Sequence, residues 1–309
     1  MAEIKNVVAS VHQRLLNLSR ERGEDFTLTL TKYGLERLLY RLSISNHCET
    51  FVLKGALLFE LWTKQRYRPT RDADFLAHGD SAPERFVAIF RQLCAMQLPV
   101  DDGCQFNSRS VVAERIKEGE DYQGVRVTFT GNLGNAKLPI QIDIGFGDAV
   151  TPQALPAEYP TMLELPRPRL LAYPMETSIA EKFEAMVKLG MANSRMKDLY
   201  DIFILQREFS FEGVALQKAI ANTFRRRRTA FPKPGSTPVI LTEDFSRDGA
   251  KQTQWRAFVN KNKSYIPPIE LESVVATLRT FLLPVVHAIA SGTEMAMKWP
   301  AAGPWQGRH

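Results

Sequence analysis

"KGALLFELWTKQRYRPTRDADF", residues 54–75, is the stretch on which the reading of this chain turns. It opens with Lys54-Gly55-Ala56 behind a short apolar run and passes through helix-compatible residues. It closes on Arg68-Pro69-Thr70-Arg71-Asp72-Ala73-Asp74. Two carboxylates directly after a basic cluster, at the start of an apolar strand, allow two interpretations. They are solvated charges beside a turn, or they form the mouth of a metal and phosphate site. An Asp-x-Asp pattern is short and common, so it decides nothing alone.

Side chains two apart on a strand share a face, which puts Asp72 and Asp74 together and Ala73, Phe75 and Ala77 opposite. The run Leu138–Phe146 alternates in the same way. Ile140, Ile142, Ile144 and Phe146 fall on one side, and Gln141, Asp143 and Gly145 on the other. If the two strands are neighbours, Asp143 joins Asp72 and Asp74 in a three-carboxylate cluster. Without a cation such a cluster repels itself. Hard oxygen ligands of this kind suit Mg²⁺ or Mn²⁺, which bind through few carboxylates and leave room for substrate phosphates. A glycine between strand and helix, as at Gly55, lets backbone N–H groups approach a phosphate, although glycines also open helices for geometric reasons alone. Arg68, Thr70 and Arg71 could orient phosphates or simply be solvated.

Around this stretch the chain reads as mixed α and β to about residue 150, with an antiparallel component. Helical spacing covers 4–22 and 29–46, strand patterns cover 50–54, 72–78, 109–116, 124–131 and 138–146, and helices cover 56–65 and 82–96. Gly-Asn pairs at 131–132 and 134–135 mark a hairpin between the last two strands. A Pro-rich passage then links to a helical second half, with helices over 176–190, 195–207, 211–224, 243–260 and 268–290. The expected division is N-terminal helices (1–48), a core (49–168), a helical domain (169–298) and a loose tail (299–309).

Hydrophobic content of 44% and charged content of 24% are ordinary for a globular protein. No run of 18 or more apolar residues appears, so no membrane span is expected. Three scattered cysteines and five histidines show neither a disulfide framework nor metal-ligand spacing, which favours a reducing, cytoplasmic setting. The net charge of +6 is concentrated late in the chain. Arg225, Arg226, Arg227 and Arg228 are consecutive. Arg247, Lys251, Arg256, Lys261 and Lys263 then face a single acid, Asp248, in that stretch. Such a tract suits a polyanion, or is a solvated surface.

Two helices carry charges in unexpected places. In METSIAEKFEAMVKLG, Lys182 lies within or beside the stripe Ile179, Phe183, Met186 and Val187, so it either snorkels to the surface or is held at a cleft rim. In SRMKDLYDIFIL, Lys197, Asp198 and Asp201 have the spacing of a surface ion pair.

Taken together, FVLKGALLFELW…RPTRDADF, IQIDIGFGD and SIAEKFEAMVKLG…SRMKDLYDIFIL resemble, in order and spacing, the AbiEii/AbiGii-type nucleotidyltransferase toxins. That group includes the MenT-like toxins and lies within the DNA polymerase beta-like superfamily. The resemblance spans about residues 30–207. It implies an α+β fold, with a minimal nucleotidyltransferase mixed sheet flanked by helices and then a mainly helical domain. It implies metal-dependent transfer of NMP from an NTP, with Asp72, Asp74 and Asp143 at Mg²⁺ or Mn²⁺. Lys182, Asp198 and Asp201 would complete the catalytic set. Lys54, Gly55, Ala56, Arg68, Thr70, Arg71, Lys182, Arg195 and Lys197 would hold the nucleotide. Where the superfamily usually has Gly-Ser or Gly-Gly, this chain has Gly55-Ala56, which removes a hydroxyl from the phosphate contacts.

The resemblance further implies a toxin of a toxin–antitoxin system acting on the tRNA 3′ end and so blocking aminoacylation and translation. Its partner would be a cognate antitoxin of the AbiEi or MenA type. Arg225–Arg228, Lys251, Arg256, Lys261 and Lys263 are the expected tRNA contacts. Nucleotidylation of a protein hydroxyl, or a non-catalytic RNA- or antitoxin-binding module, are the alternatives.

Overall fold

The computed structural model describes residues 6–63, 68–117 and 123–307. Two units emerge: Met1–Gln65 with Pro69–Gly147 and Leu155–Ala172, and Arg66–Arg68 with Asp148–Ala154 and Tyr173–His309.

The first unit is built on one mixed sheet. Its strands are β1 (Phe51–Lys54), β2 (Ala73–Ala77), β3 (Cys104–Phe106), β4 (Val112–Lys117), β5 (Gln123–Leu133), β6 (Ala136–Phe146), β7 (Leu155–Glu158) and β8 (Arg169–Ala172). Their order is β3-β5-β6-β2-β1-β8-β7, with β4 also paired to β5. The antiparallel β5–β6 hairpin closes at Gly134-Asn135, where Gly134 takes a positive φ of 58°. Gly131-Asn132 instead lies inside β5. The pairing β2–β6 is parallel and β1–β2 antiparallel. Leu53, Phe75, Ile144 and Val125 therefore align across four strands, all buried. A slip of one residue would carry this row to the other face.

Helices α1 (Val7–Arg22), α2 (Phe26–Ser43), α3 (Leu58–Trp62) and α4 (Pro83–Ala95) complete the unit. Asp25 caps α2 by accepting from the Leu28 N–H, and every residue from Leu28 to Leu42 except Lys32 is buried. Phe86 and Phe90 of α4 meet Phe51 edge-on at 6.1 and 6.0 Å. Ile4 and Lys5 of the first expected helix, and Lys64 and Gln65 of the one after Gly55, lie outside the described residues. The Pro-rich passage is more than a linker, because it supplies β7 and β8. Pro156 is tolerated there because β7 is the last strand of the sheet.

The second unit holds α5 (Met175–Leu189), α6 (Met196–Glu208), α7 (Gly213–Arg226), α8 (Glu243–Arg247), α9 (Gly249–Lys261) and α10 (Leu271–Ser291). A single helix expected over 243–260 is two, because Asp248 leaves helical geometry and caps α9 by accepting from the Lys251 N–H. By length and composition α10 could cross a bilayer, yet Leu271, Val274, Val275, Leu278, Phe281 and Leu282 recur at helical spacing and are buried in this unit.

Strands β9 (Phe211–Glu212), β10 (Met297–Trp299) and β11 (Gln306–Gly307) form a small sheet. The segment from Trp299, expected to be loose, instead pairs back onto β10 at Gln306–Gly307 while most of its residues stay exposed; the last two residues lie outside the described ones. Trp299 donates its indole N–H to the Gln206 carbonyl, and Trp305 to that of Phe281. Two large aromatic rings with satisfied donors hold down what composition alone reads as a tail. The α+β class holds, with a mixed sheet, flanking helices and a helical C-terminal region.

One buried pair in the first unit has a pH signature. Glu36 accepts from the Met162 N–H at 2.7 Å and sits 2.7 Å from Arg37, whose guanidinium donates to the Pro166 carbonyl. Burial outweighs Arg37 and pushes the Glu36 carboxyl up from 4.5 to about 7. Between those values the folded chain holds a proton that the unfolded chain has lost, so stability falls as pH rises through that window. Thermal melts from pH 4.5 to 7 should show wild type losing up to roughly 3 kcal/mol relative to Glu36→Gln. A pH-independent difference would contradict this.

Candidate functional site

In the first unit, strand register builds a single row of charges. Glu114 of β4 faces Arg126 of β5, Arg126 faces Asp143 of β6, Asp143 faces Asp74 of β2, and Asp74 faces Lys54 of β1. The signs run minus, plus, minus, minus, plus. Only at the centre do like charges meet, and two adjacent carboxylates raise the cost of ionising both. Arg126 relieves one of them, donating from Nε and Nη2 to the two Asp143 oxygens at 2.8 and 2.7 Å. That hydrogen-bonded pairing holds the Arg126 guanidinium more firmly protonated, with Glu114 and Asp72 adding to the effect. Asp143 therefore does share a neighbourhood with Asp72 and Asp74, as the alternation predicts. It arrives there already neutralised, and sequence reasoning did not include Arg126.

Gly55 now has a physical reason. Its φ is +73°, and a Cβ built on it would lie 1.9 Å from Asp74 Oδ2. The Asp74 carboxylate thus occupies the space that any other residue's side chain would fill. Ala56 and Leu57 follow in a 3₁₀ turn that leads into α3. Lys54 is buried. Asp72 precedes β2, is partly exposed and accepts from the Thr70 hydroxyl; Arg71 is exposed. Among the described residues no group of three or more acids, histidines or cysteines is arranged to hold a metal. Two carboxylates, Asp72 and Asp74, nevertheless suit Mg²⁺, which typically takes one or two protein carboxylates and completes its shell with water and phosphate. The donor chemistry fits with Asp143 kept by Arg126.

In the second unit, α5 and α6 bury an alternating chain of ions. Arg68, which belongs with this unit, forks onto Asp201 at 2.9 and 2.8 Å. Lys182 bridges Asp201 and Asp198 at 2.7 and 3.0 Å, and Arg195 caps Asp198 through Nε. Both aspartates are fully buried. Burial alone would raise the Asp201 carboxyl, but Lys182 and Arg68 hold it well below the usual range. Asp198 is lowered likewise, burial being overcome by Lys182 and Arg195. Burial also works against the Lys182 ammonium, yet the two carboxylates raise its pKa. Three cations on two anions leave one surplus positive charge, and Arg195 is the half-exposed end.

Several expectations change here. Lys197 does not pair with Asp201; it is exposed while both aspartates point inward to Lys182. The helix acids are thus core groups rather than a surface pair. Among the basic residues of the C-terminal third, Arg227 is turned in, bridging Asp148 at 3.0 Å, Glu184 at 2.9 Å and Glu181 at 3.4 Å. Lys251 is buried too, donating to the Asn193 carbonyl at 2.9 Å beneath the Phe245 ring. Neither can serve as a surface phosphate contact. Arg225, Arg226, Arg228, Arg256, Lys261 and Lys263 are exposed.

A family model described as the nucleotidyl transferase AbiEii toxin of type IV toxin–antitoxin systems matches residues 37–280. Among solved structures, JHP933 from Helicobacter pylori is 13% identical, with 85% of this chain and 94% of that one covered and a TM-score of 0.48. A second H. pylori chain, described as a candidate nucleotidyltransferase, is 14% identical, with 85% and 95% covered and a TM-score of 0.47. No curated protein matches the chain.

Replacing Lys182 by Met removes the cation shared by two buried carboxylates and leaves each with a single arginine, so thermal melts should register a loss of about 3 kcal/mol at neutral pH. In wild type the contribution of Asp198 and Asp201 is present above their ordinary value of 3.8 and fades as pH falls through the lower folded values. That of Lys182 is complete below 10.5 and fades as pH rises past it. A Lys182→Met protein as stable as wild type between those limits would show that the network is not stabilising.

Proposed function

Because the chain belongs to the AbiEii nucleotidyl transferase toxin family of type IV toxin–antitoxin systems, we propose that it moves a nucleoside monophosphate from an NTP onto the 3′ end of an RNA, tRNA foremost. It is a toxin nucleotidyltransferase by family, and the family implies an antitoxin partner, here expected to be of the AbiEi or MenA type. The observation that carries the reading is the central Asp143–Asp74 pair, with Gly55 making room for the Asp74 carboxylate.

In this reading Asp72 and Asp74 hold Mg²⁺ or Mn²⁺, which when bound offsets charge on the NTP phosphates and favours an ionised attacking hydroxyl. The remaining work falls to the chain. The acceptor oxygen bonds to the α-phosphorus, the α–β bridging bond breaks, and pyrophosphate leaves. Asp198 and Asp201 are poor acceptors for the hydroxyl proton, because their carboxyls lie below the usual range and are held by cations. Proton acceptance therefore falls to Asp72 or Asp74, since Arg126 holds both Asp143 oxygens, while the helix acids hold the ion network of the second unit. Lys54 keeps one end of the polar row cationic, and Arg126 keeps Asp143 in place. Arg195 and Lys197 are exposed positive charges of the second unit, beside the surplus charge of its buried network. Arg68 is committed to Asp201 and orients that aspartate instead of a phosphate. Exposed basic residues of the second unit favour an RNA acceptor over a protein hydroxyl. NTPs and tRNA together set the activity in the cytoplasm.

Incubating the protein with each of four labelled NTPs, Mg²⁺ and total tRNA should label RNA. Asp72→Asn and Asp74→Asn should each lower transfer by at least about a thousandfold with an unchanged melt, the scale on which loss of a charge-stabilising group is felt. Transfer equal to wild type in Asp72→Asn would remove Asp72 from the site. Label appearing in lysate protein instead of tRNA would move the acceptor to a protein hydroxyl.

A further inference from the structure

Among the described residues, three helices end in the same hydrogen-bonded cap, and one of them breaks the pattern. At the end of α1, Gly23 donates to the Arg20 carbonyl and Glu24 to that of Ser19. At the end of α10, Gly292 donates to Ile289 and Thr293 to Ala288. At the end of α7, Arg228 donates to Arg225 and Thr229 to Phe224, in the same relation. The first two caps place glycine in the left-handed region, with φ of 61° and 68°; the third places Arg228 there, with φ of 53°. Glycine is the usual residue at this position because a Cβ is penalised in that conformation. The chain uses glycine twice and declines it once.

The residues on either side are what hold Arg228 in this conformation. Arg227 is drawn inward by Asp148, Glu181 and Glu184, and the Thr229 hydroxyl donates to Glu184. Phe231 then folds back, its ring 4.9 Å from that of Phe224. Burial would lower the Arg227 guanidinium's pKa, but the acids around it raise it, so this anchor stays charged at any physiological pH. With position 227 turned in, Arg225, Arg226 and Arg228 stand exposed around one helix end, and Arg225 leans on Asn222 at 3.3 Å. The site is also the carbonyl end of α7, whose partial negative charge holds cations there.

We propose that this Arg227-anchored corner is a phosphate-backbone contact for RNA, and that Arg228 is kept for its charge at a position whose backbone favours glycine. An unfavourable backbone conformation held in place by its neighbours points towards function. The proposal rests on the RNA-acceptor reading and narrows it. Of the four consecutive arginines, three bind and one positions. Contacts of this kind set affinity and register without reading base sequence.

Arg228→Gly separates the two roles of this residue. It relieves the backbone while removing the charge. Binding of total tRNA would be followed by fluorescence anisotropy between about 50 and 200 mM salt, alongside thermal melts. Arg228→Gly should melt at or above the wild-type temperature, bind tRNA roughly fivefold to tenfold more weakly at low salt, and show a salt slope shallower by about one. Arg228→Lys should keep the wild-type slope. Arg279→Ala, which removes an exposed charge from a different helix, α10, should change affinity by less than about twofold. If wild type binds tRNA but Arg228→Gly keeps its slope, or Arg279→Ala matches its loss, the corner is not the contact although the RNA reading survives. If wild type shows no salt-dependent tRNA binding, both fall together.

Discussion

The structure depends most on the placement of two carboxylates where electrostatics alone would keep them apart. Parallel pairing of β2 with β6 sets Asp74 beside Asp143, and nothing in that pairing can be shifted by one residue without turning Phe75 and Ile144 out of the core. The hydrophobic register therefore enforces the charge register. Lys54 and Arg126, one strand further out on each side, compensate from the edges. Arg126 is bound to Asp143 through Nε and Nη2, and the Asp74 carboxylate fills the space in front of Gly55.

The second unit handles charge differently. There the ions are consumed in closed networks, one centred on Lys182 and one on Arg227, with aspartates and glutamates that are almost wholly buried. Such networks add little stability compared with an apolar core, yet removing one member leaves a naked buried charge. Their value lies in fixing where the remaining, exposed charges stand. Arg195 projects from the end of the first network and Arg228 from beside the second. In both cases a buried ion sets the position of an accessible one.

Much of the first unit could be read directly from period and punctuation. Strand alternation in Leu138–Phe146 puts Asp143 on the polar face, where it pairs with Asp74, and the Asp-x-Asp stretch lies at the start of β2. What the sequence hid was pairing. Once the hairpin is known to turn at Gly134-Asn135, equal counts back from Leu133 and forward from Ala136 arrive at Arg126 and Asp143. Two Gly-Asn pairs stood in the sequence, however, and choosing between them needs the tertiary context of β6 against β2. The buried networks were harder still. Lys197 and Asp201 have ideal surface spacing, and no local rule says that Lys182, on another helix, will claim both aspartates instead. The arginine run looked uniform because helical phase near a C-terminus is lost at the cap, and only the acids of distant segments single out Arg227. Proline and glycine after Trp299 point to a loose end, while what holds this segment is two indole rings with bonded N–H groups, which composition does not weigh.

The contact between Gly55 and Asp74 sets a length limit at position 74. The space in front of the carboxylate is the volume of one absent methyl group, and it is already filled by an oxygen. A glutamate at 74 carries the same charge on a stem one carbon longer, and its head group would have to leave that hollow. The glycine thus acts as a gauge that admits the shorter acid and rejects the longer one. Chemical conservatism and geometric conservatism part company at this site. Asparagine, which abolishes the charge, still fits the hollow, whereas glutamate, which preserves the charge, does not.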